Sequence, residues 1–518
     1  MDQYTLPVCS AVFSDRVELA KTFEVALPDY CPGIQKIVKT DASVASLSTS
    51  LEDRLITMRG KAAVRVLYVS DKQNFLKSVS FPFDFEHTFD ASKMQNLSGE
   101  PVVEAGGFVL ASSAKPKGPR SMDIKLGLAL NVCVSDCAEI PLLAPESAAD
   151  AELHPCFTTA AVHIKLSDVP EKLHEEFTLD GGMAAVADIA DSSAVLRLSE
   201  LRAEDGSLRY GGTVLFKCTY RAESAPDAAE AEYVYLTKEF PFEGEISDPR
   251  LRRGMTATGR ILLSELETGS SFDPYGESRV VSVSLGVSVQ ADAFDEAEVA
   301  YFDDGFCPAY ECDFEKNVYT FERLDGAVRD SARIEERLGA DRETFVQITD
   351  AAMTLGAVTS EVSDGRLYAC GKASVWVLGS NEKGEPACMQ SVFNLHLPLE
   401  SVHDAAPDRH YLLDTQILSC SAVLQDGEIL LTADAVTDGV CLEKCRVSAI
   451  DRADIHYDSP KPLCKAEYII YYPEDGEALW NIAKKYEIPR EELRRANNLT
   501  GETVGERKTL VVPCAERS

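Results

Sequence analysis

The sequence predicts a mainly β chain, in which three tandem β-rich, sandwich-like units are followed by one small α+β unit of strand, helix, helix and strand. The first observation behind this is a glycine-led stretch that recurs at Gly60, Gly212 and Gly371, 152 and 159 residues apart. In each copy the second, fourth and sixth residues after the glycine are apolar: Ala62, Val64 and Val66; Val214, Phe216 and Cys218; Ala373, Val375 and Val377. A period of two marks a half-buried strand, with Lys61, Arg65, Thr213, Lys217, Lys372 and Trp376 on its other face. The second observation is a returning strand in each copy, after polar loops at 71–74, 221–232 and 380–386. It carries Phe81-Pro82-Phe83, Phe240-Pro241-Phe242 and Phe393-Asn394-Leu395. Proline cannot donate to a ladder, so these strands belong at sheet edges or strand ends. The third is a Leu-Gly pair, Leu126-Gly127 and Leu285-Gly286, forty-five residues beyond the first phenylalanine of its copy. Ile124, Leu126, Leu128, Leu130 and Val132 around it match Val283, Leu285, Val287, Val289 and Ala291. In the third copy Ile429, Leu431, Ala433 and Ala435 take that place at a shorter spacing. Such agreement points to duplication.

A chain of 518 residues exceeds one core, and at about 100 to 200 residues per domain it should hold three to five. Composition shifts at Leu143–Pro155, which contains Pro-Glu-Ser-Ala-Ala-Asp-Ala-Glu, and at Asp303–Pro308. The units are therefore expected over 1–150, 151–302 and 303–459. Ser459-Pro460-Lys461-Pro462 reads as a short stiff connector that holds a last unit, 466–514, apart from the others.

In that last unit Leu479, Ile482, Ala483 and Tyr486 recur at i, i+3, i+4 and i+7, one apolar face of a helix. A second helix fits Pro489–Asn497, with proline at its opening and Leu493 and Ala496 facing inward. Helices this short do not stand alone. Flanking strands at Tyr468–Tyr472 and Thr509–Val512 would close the core.

The formal charge of −34 argues against nucleic acid or an anionic membrane as partner. No run of eighteen apolar residues suggests a membrane span, and the N-terminus shows no secretory signal pattern. Fifteen scattered cysteines read as free thiols in a reducing compartment rather than a disulfide framework. The pairs Cys133/Cys137, Cys307/Cys312 and Cys441/Cys445 lack the tight double spacing of zinc sites, so no metal site is expected. Catalytic signatures are missing too. His174-Glu175-Glu176 is not followed by the histidine of a zincin, and no GxSxG elbow occurs. Gly379–Glu385 approaches a P-loop but places Glu385 where lysine is required, so it reads as a turn. Among 85 acidic residues a carboxylate pair for glycoside hydrolysis carries no information. His396, His403 and His410 read as loop or surface residues, because Pro398 and Pro407 interrupt any helix that would align them. Trp376 reads as sheet packing, and Trp480 as packing or a partly exposed ring.

The segment Glu477-Ala478-Leu479-Trp480-Asn481-Ile482-Ala483-Lys484-Lys485-Tyr486, with Pro489–Leu499 and Leu510-Val511-Val512-Pro513, resembles a LysM module. Most such modules bind N-acetylglucosamine polymers in a groove between the loop opening the first helix and the loop after the second. The resemblance places that groove at Gly476, Glu477, Ala478, Leu479, Asn497, Asn498, Thr500 and Gly501. The family opens the first helix with Gly-Asp-Thr-Leu, whereas this chain has Gly476-Glu477-Ala478-Leu479. Glutamate caps a helix less well than aspartate, and alanine offers no hydroxyl. With the three upstream units and the Pro28-Asp29-Tyr30-Cys31-Pro32 segment, the whole is similar to the SPOCS-domain family of endospore-forming Firmicutes. That resemblance implies a non-enzymatic scaffold in spore coat or envelope assembly, working in the mother-cell cytoplasm at the forespore surface. Its LysM module would dock to the coat basement-layer ATPase, with no cofactor. The alternatives are a cell-wall protein that binds peptidoglycan or a chitin-like glycan and, more weakly, a wall hydrolase of unrecognised type.

Overall fold

A computed structural model describes residues 4–513 except 73, 95, 98, 167–168, 224–231, 340–344, 463–466 and 506–508. Most of the loop expected at 221–232 lies outside the described residues. The chain is mainly β. Its first six strands are β1 (Thr5–Ala26), β2 (Ile34–Glu52), β3 (Leu55–Ser70), β4 (Leu76–Asp90), β5 (Glu100–Gly118) and β6 (Ser121–Pro141). They form two antiparallel sheets, ordered β1-β6-β5 and β2-β3-β4. Alternate residues of β3, β4 and β6 fill the space between the sheets, among them Met58, Val64, Tyr68, Phe83, Phe89, Ile124 and Leu130.

The next set comprises β7 (Glu152–Lys165), β8 (Val169–Thr178), β9 (Val186–Glu204), β10 (Ser207–Ala222), β11 (Tyr233–Ser247), β12 (Thr256–Phe272) and β13 (Ser278–Phe306). The sheet β11-β10-β9 faces a sheet in which β13 pairs with β12, β7 and β8. The third set holds β14 (Tyr310–Gly339), β15 (Gln347–Leu355), β16 (Thr359–Ser363), β17 (Arg366–Ser380), β18 (Pro386–Leu399), β19 (His410–Gln425) and β20 (Glu428–Pro460). Here β14-β20-β19 faces a sheet in which β17 pairs with β15, β16 and β18. Ile429, Leu431, Ala433 and Ala435 lie on the buried face of β20, the middle strand of its sheet.

All nine alternating positions on β3, β10 and β17 are buried, as their period requires. Of the six residues expected on the opposite face, Trp376 is the one that is buried, at 5% exposed, because it packs against Leu67, Val69 and Leu76 of the first set. The returning strands β4 and β11 are sheet edges, which accommodates Pro82 and Pro241. Their register corrects the motif match. Phe242 lies opposite Gly212 and Leu395 opposite Gly371, but the residue opposite Gly60 is Phe85 rather than Phe83. A Cβ at Gly60 would come within 2.4 Å of the Phe85 ring, and one at Gly212 within 2.7 Å of Phe242. A backbone carbonyl closes the same space from the other neighbour, Ser46 at 2.6 Å from a Cβ at Gly60 and Arg197 at 2.0 Å from one at Gly212, so glycine leads both strands because ring and carbonyl together leave no room for a side chain.

Contacts between the sets run in a closed circuit. Counting from the same glycines, Lys39, Asp191 and Asp350 lie opposite the seventh residues, Leu67, Thr219 and Leu378. The fifth residues, Arg65, Lys217 and Trp376, each reach one of the three charges across a set boundary. Arg65 approaches Asp191 at 3.8 Å, Lys217 Nζ lies 2.7 Å from Asp350 Oδ1, and Lys39 Nζ sits 4.0 Å over the Trp376 ring. Lys39 also bonds Asp191 at 2.7 Å, with both side chains under one tenth exposed. Burial works against the Lys39 ammonium, but Asp191, Asp41 and Asp350 outweigh it and raise its pKa. Elsewhere Leu6, Ala160, Val299, Phe321 and Ala449 join strands from all three sets in one apolar cluster. Between the lobes remain two cavities of ≈ 780 and ≈ 700 Å³, lined by β2, β5, β9, β12, β15 and β19.

Cys9 and Cys137 form a disulfide, contrary to the free-thiol expectation. They are 128 residues apart in sequence yet directly opposite on β1 and β6, with Cα atoms 4.1 Å apart. That pairing depends on strand register, which spacing alone does not reveal. Among the described residues no helix is long and apolar enough to cross a membrane.

Candidate partner groove in the C-terminal unit

The C-terminal unit contains β21 (Tyr468–Tyr471), α1 (Leu479–Tyr486), α2 (Arg490–Asn497) and β22 (Leu510–Pro513), with β21 and β22 antiparallel. Leu479, Ile482 and Ala483 are fully buried from the predicted face of α1, and Tyr486 packs at its margin. Pro489 stands just before α2, where its missing N–H is not needed. Ala496 is exposed rather than inward-facing, and Asn497 takes the inner position instead.

The predicted groove residues divide into two groups. Leu479 and Asn497 belong to the interior, so neither can form a groove wall. The Asn497 amide donates to the Leu493 carbonyl, and its Oδ1 accepts the Val511 N–H at 2.7 Å, tying α2 to β22. Its polarity made it resemble a ligand contact, but a buried amide must satisfy both ends and here the backbone does so. Gly476, Asn498, Thr500 and Gly501 are exposed, while Glu477 and Ala478 are half-buried. Gly476 turns the chain with φ +78°, and Asn498 closes α2 in the left-handed region.

The fold brings the two loops together. Leu479 N–H donates to the Glu502 carbonyl at 2.8 Å, and Val504 N–H donates to the Glu477 carbonyl at 2.8 Å. The Glu477 carboxylate accepts the Tyr471 hydroxyl at 3.0 Å and the Glu474 N–H at 3.1 Å, so it serves its own loop. Ala478 occupies the cap position of α1 with no side-chain bond to the first turn.

Proline does not hold this unit apart. Pro460 ends β20, and the unit is docked on β7 and β13. Phe306 of β13 joins its core, and Trp480 lies with its ring 5.3 Å from Phe306 and 4.9 Å from His154. The Trp480 indole N–H donates to Asp304 at 3.1 Å, Lys484 donates to the same carboxylate at 2.6 Å, and Arg490 donates to the Leu153 carbonyl at 3.3 Å. Lys461 bonds Glu487 at 2.5 Å. No family model, curated protein or solved structure matches this chain. Of these docking residues the sequence singled out Trp480 alone. The signal it offered was a tryptophan beside, rather than on, the apolar stripe of α1.

The other residues weighed for chemistry have ordinary surroundings. His396 stacks on Tyr368 at 4.1 Å, and His410 bonds Glu322 at the surface. The P-loop-like segment is a turn in which Asn381 Oδ1 accepts the Lys383 and Glu385 N–H groups. Cys441 faces Asp325, and Cys133 lies beside a cavity between the lobes.

Proposed function

We propose that this chain is a non-enzymatic scaffold of spore coat or envelope assembly, with SPOCS-type repeats over 1–150, 151–302 and 303–459 and a LysM-type docking unit over 466–514. The repeats supply a body joined lobe to lobe. The last unit supplies the address, recognising a basement-layer protein at the forespore surface from the mother-cell side. The observation that carries this reading is the two-sided character of the C-terminal unit. Trp480, Lys484 and Arg490 clamp it to the body, while Tyr468, Ile470, Tyr472 and Val511 leave an apolar strip exposed on and beside its small sheet. Tyr468 and Tyr472 are 59% and 70% exposed, and exposed apolar patches mark protein contacts.

A protein partner is favoured over a glycan by the loop chemistry. Saccharide recognition needs several free polar groups, each worth about 0.5 to 1.5 kcal/mol. Glu477 is already engaged within its loop, and Ala478 has no hydroxyl. Calorimetry of the full chain with chitin oligomers and muropeptides should therefore detect weak or no binding, and Glu477→Asp with Ala478→Thr should strengthen it. Micromolar binding by the unmodified chain would refute the preference for protein and support the wall-binding alternative.

A further inference from the structure

We propose that His154, Cys156 and Asp303 form a binding site for a thiophilic divalent cation of the zinc class, at the seam where the C-terminal unit meets the body. His154 and Cys156 are two residues apart on β7, so their side chains share a face. Asp303 comes from β13, which pairs with β7, and it is the extra residue at a break in their register: Phe302 pairs with Pro155 and Asp304 with His154. A bulge of this kind re-aims a side chain, and bulges recur next to functional sites. Here it turns the Asp303 carboxylate towards the two β7 donors. His154 Nδ1 lies 2.7 Å from Asp303 Oδ1 and 3.8 Å from Cys156 Sγ, and one donor atom from each residue falls within 4.8 Å of the other two.

These separations suit a small ion. Zinc bonds of about 2.0 to 2.3 Å in a tetrahedron set donor atoms about 3.3 to 3.6 Å apart. The sulfur-to-nitrogen gap already approximates that, and the nitrogen-to-oxygen gap needs to open by roughly 0.5 Å when an ion replaces the shared proton. One thiolate, one imidazole and one carboxylate select zinc, cobalt or nickel over magnesium and calcium, which prefer all-oxygen shells. The His154 and Asp303 side chains are 37% and 42% exposed, which leaves a route for an ion and a fourth position for water. Two other clusters contain comparable donors. In the first, Glu361 and His396 are exposed and Cys370 is half-buried, and the second, Glu104, His163 and Asp292, lacks sulfur.

The Trp480 ring, 4.9 Å from that of His154 and tilted 41° to it, makes this site readable. The full-length chain, kept reduced, should take up one Co²⁺ with a thiolate-to-cobalt charge-transfer band and quenching of Trp480 emission. Cys156→Ser should abolish the band, and His154→Gln and Asp303→Asn should each weaken binding at least tenfold. Cys370→Ser should change nothing, and Trp480→Phe should remove the quenching but keep the band. Circular dichroism of each variant separates lost binding from lost fold, and the wild-type titration stands whether or not a variant folds. No band with the wild-type chain, a band that persists in folded Cys156→Ser, or one that disappears in folded Cys370→Ser would overturn the assignment.

Discussion

Lys39 and Asp191 form a buried pair in which each partner is an ion removed from water. Breaking one side of a buried pair costs about 3 to 5 kcal/mol, whereas replacing both ions with apolar groups of similar size can be nearly neutral. Lys39→Ala should therefore lower the melting temperature markedly, and Lys39→Met with Asp191→Leu should recover most of the loss. A double variant no more stable than Lys39→Ala would show that the pair does more than neutralise itself. The same reasoning applies on a smaller scale to Asn497. Asn497→Ala removes the partners of the Val511 N–H and carbonyl, at about 1 to 3 kcal/mol for each group left unsatisfied, while the Leu493 carbonyl keeps its helical bond. Leu479→Ala removes a fully buried side chain from a small core and should cost about 2 to 5 kcal/mol. Hydrogen exchange over 479–512 reads both. Unchanged protection there would mean that neither residue holds the unit together.

At the scale of elements, α1 has two duties on adjacent faces. One face, with Leu479, Ile482 and Ala483, closes the unit's own core, while Trp480 and Lys484 reach across to Asp304. Lys484→Glu places like charges together at that contact, and Asp304→Asn removes the shared acceptor charge. Either should release the unit, moving Trp480 emission to longer wavelength without unfolding the lobes. Emission identical to that of the unmodified chain would place the clamp elsewhere. The element pattern was legible from local periodicity. Alternation on β3, β10 and β17 and the stripe on α1 depend only on which side of one strand or helix faces inward. Register was harder to read. The Phe81-Pro82-Phe83 match is two residues out, because the ring above Gly60 belongs to Phe85, and only pairing with β3 decides between them.

Across the whole molecule, the lobes close through residues that are unremarkable in sequence. Arg65 and Lys217 look like solvent-facing strand positions, and Trp376 like one more aromatic. Their meaning comes from Asp191, Asp350 and Lys39 in neighbouring sets, more than a hundred residues away. For the same reason the Cys9–Cys137 bond, the bulge at Asp303 and the docking of the last unit were not legible: each depends on strands brought together over long range. Among the predicted groove residues, the open loop positions could be read from turn chemistry at Gly476 and Asn498. Leu479 and Asn497 could not be separated from them until burial was known. The central proposal is that residues 466–518 give the chain its address. The most direct measurement is the position of a fluorescent fusion in sporulating cells, with and without that segment. The full chain should form a ring around the forespore, and the truncated chain, its lobes still folded, should spread through the mother cell. Intact forespore rings from the truncated chain would contradict the account and move the targeting role to the lobes.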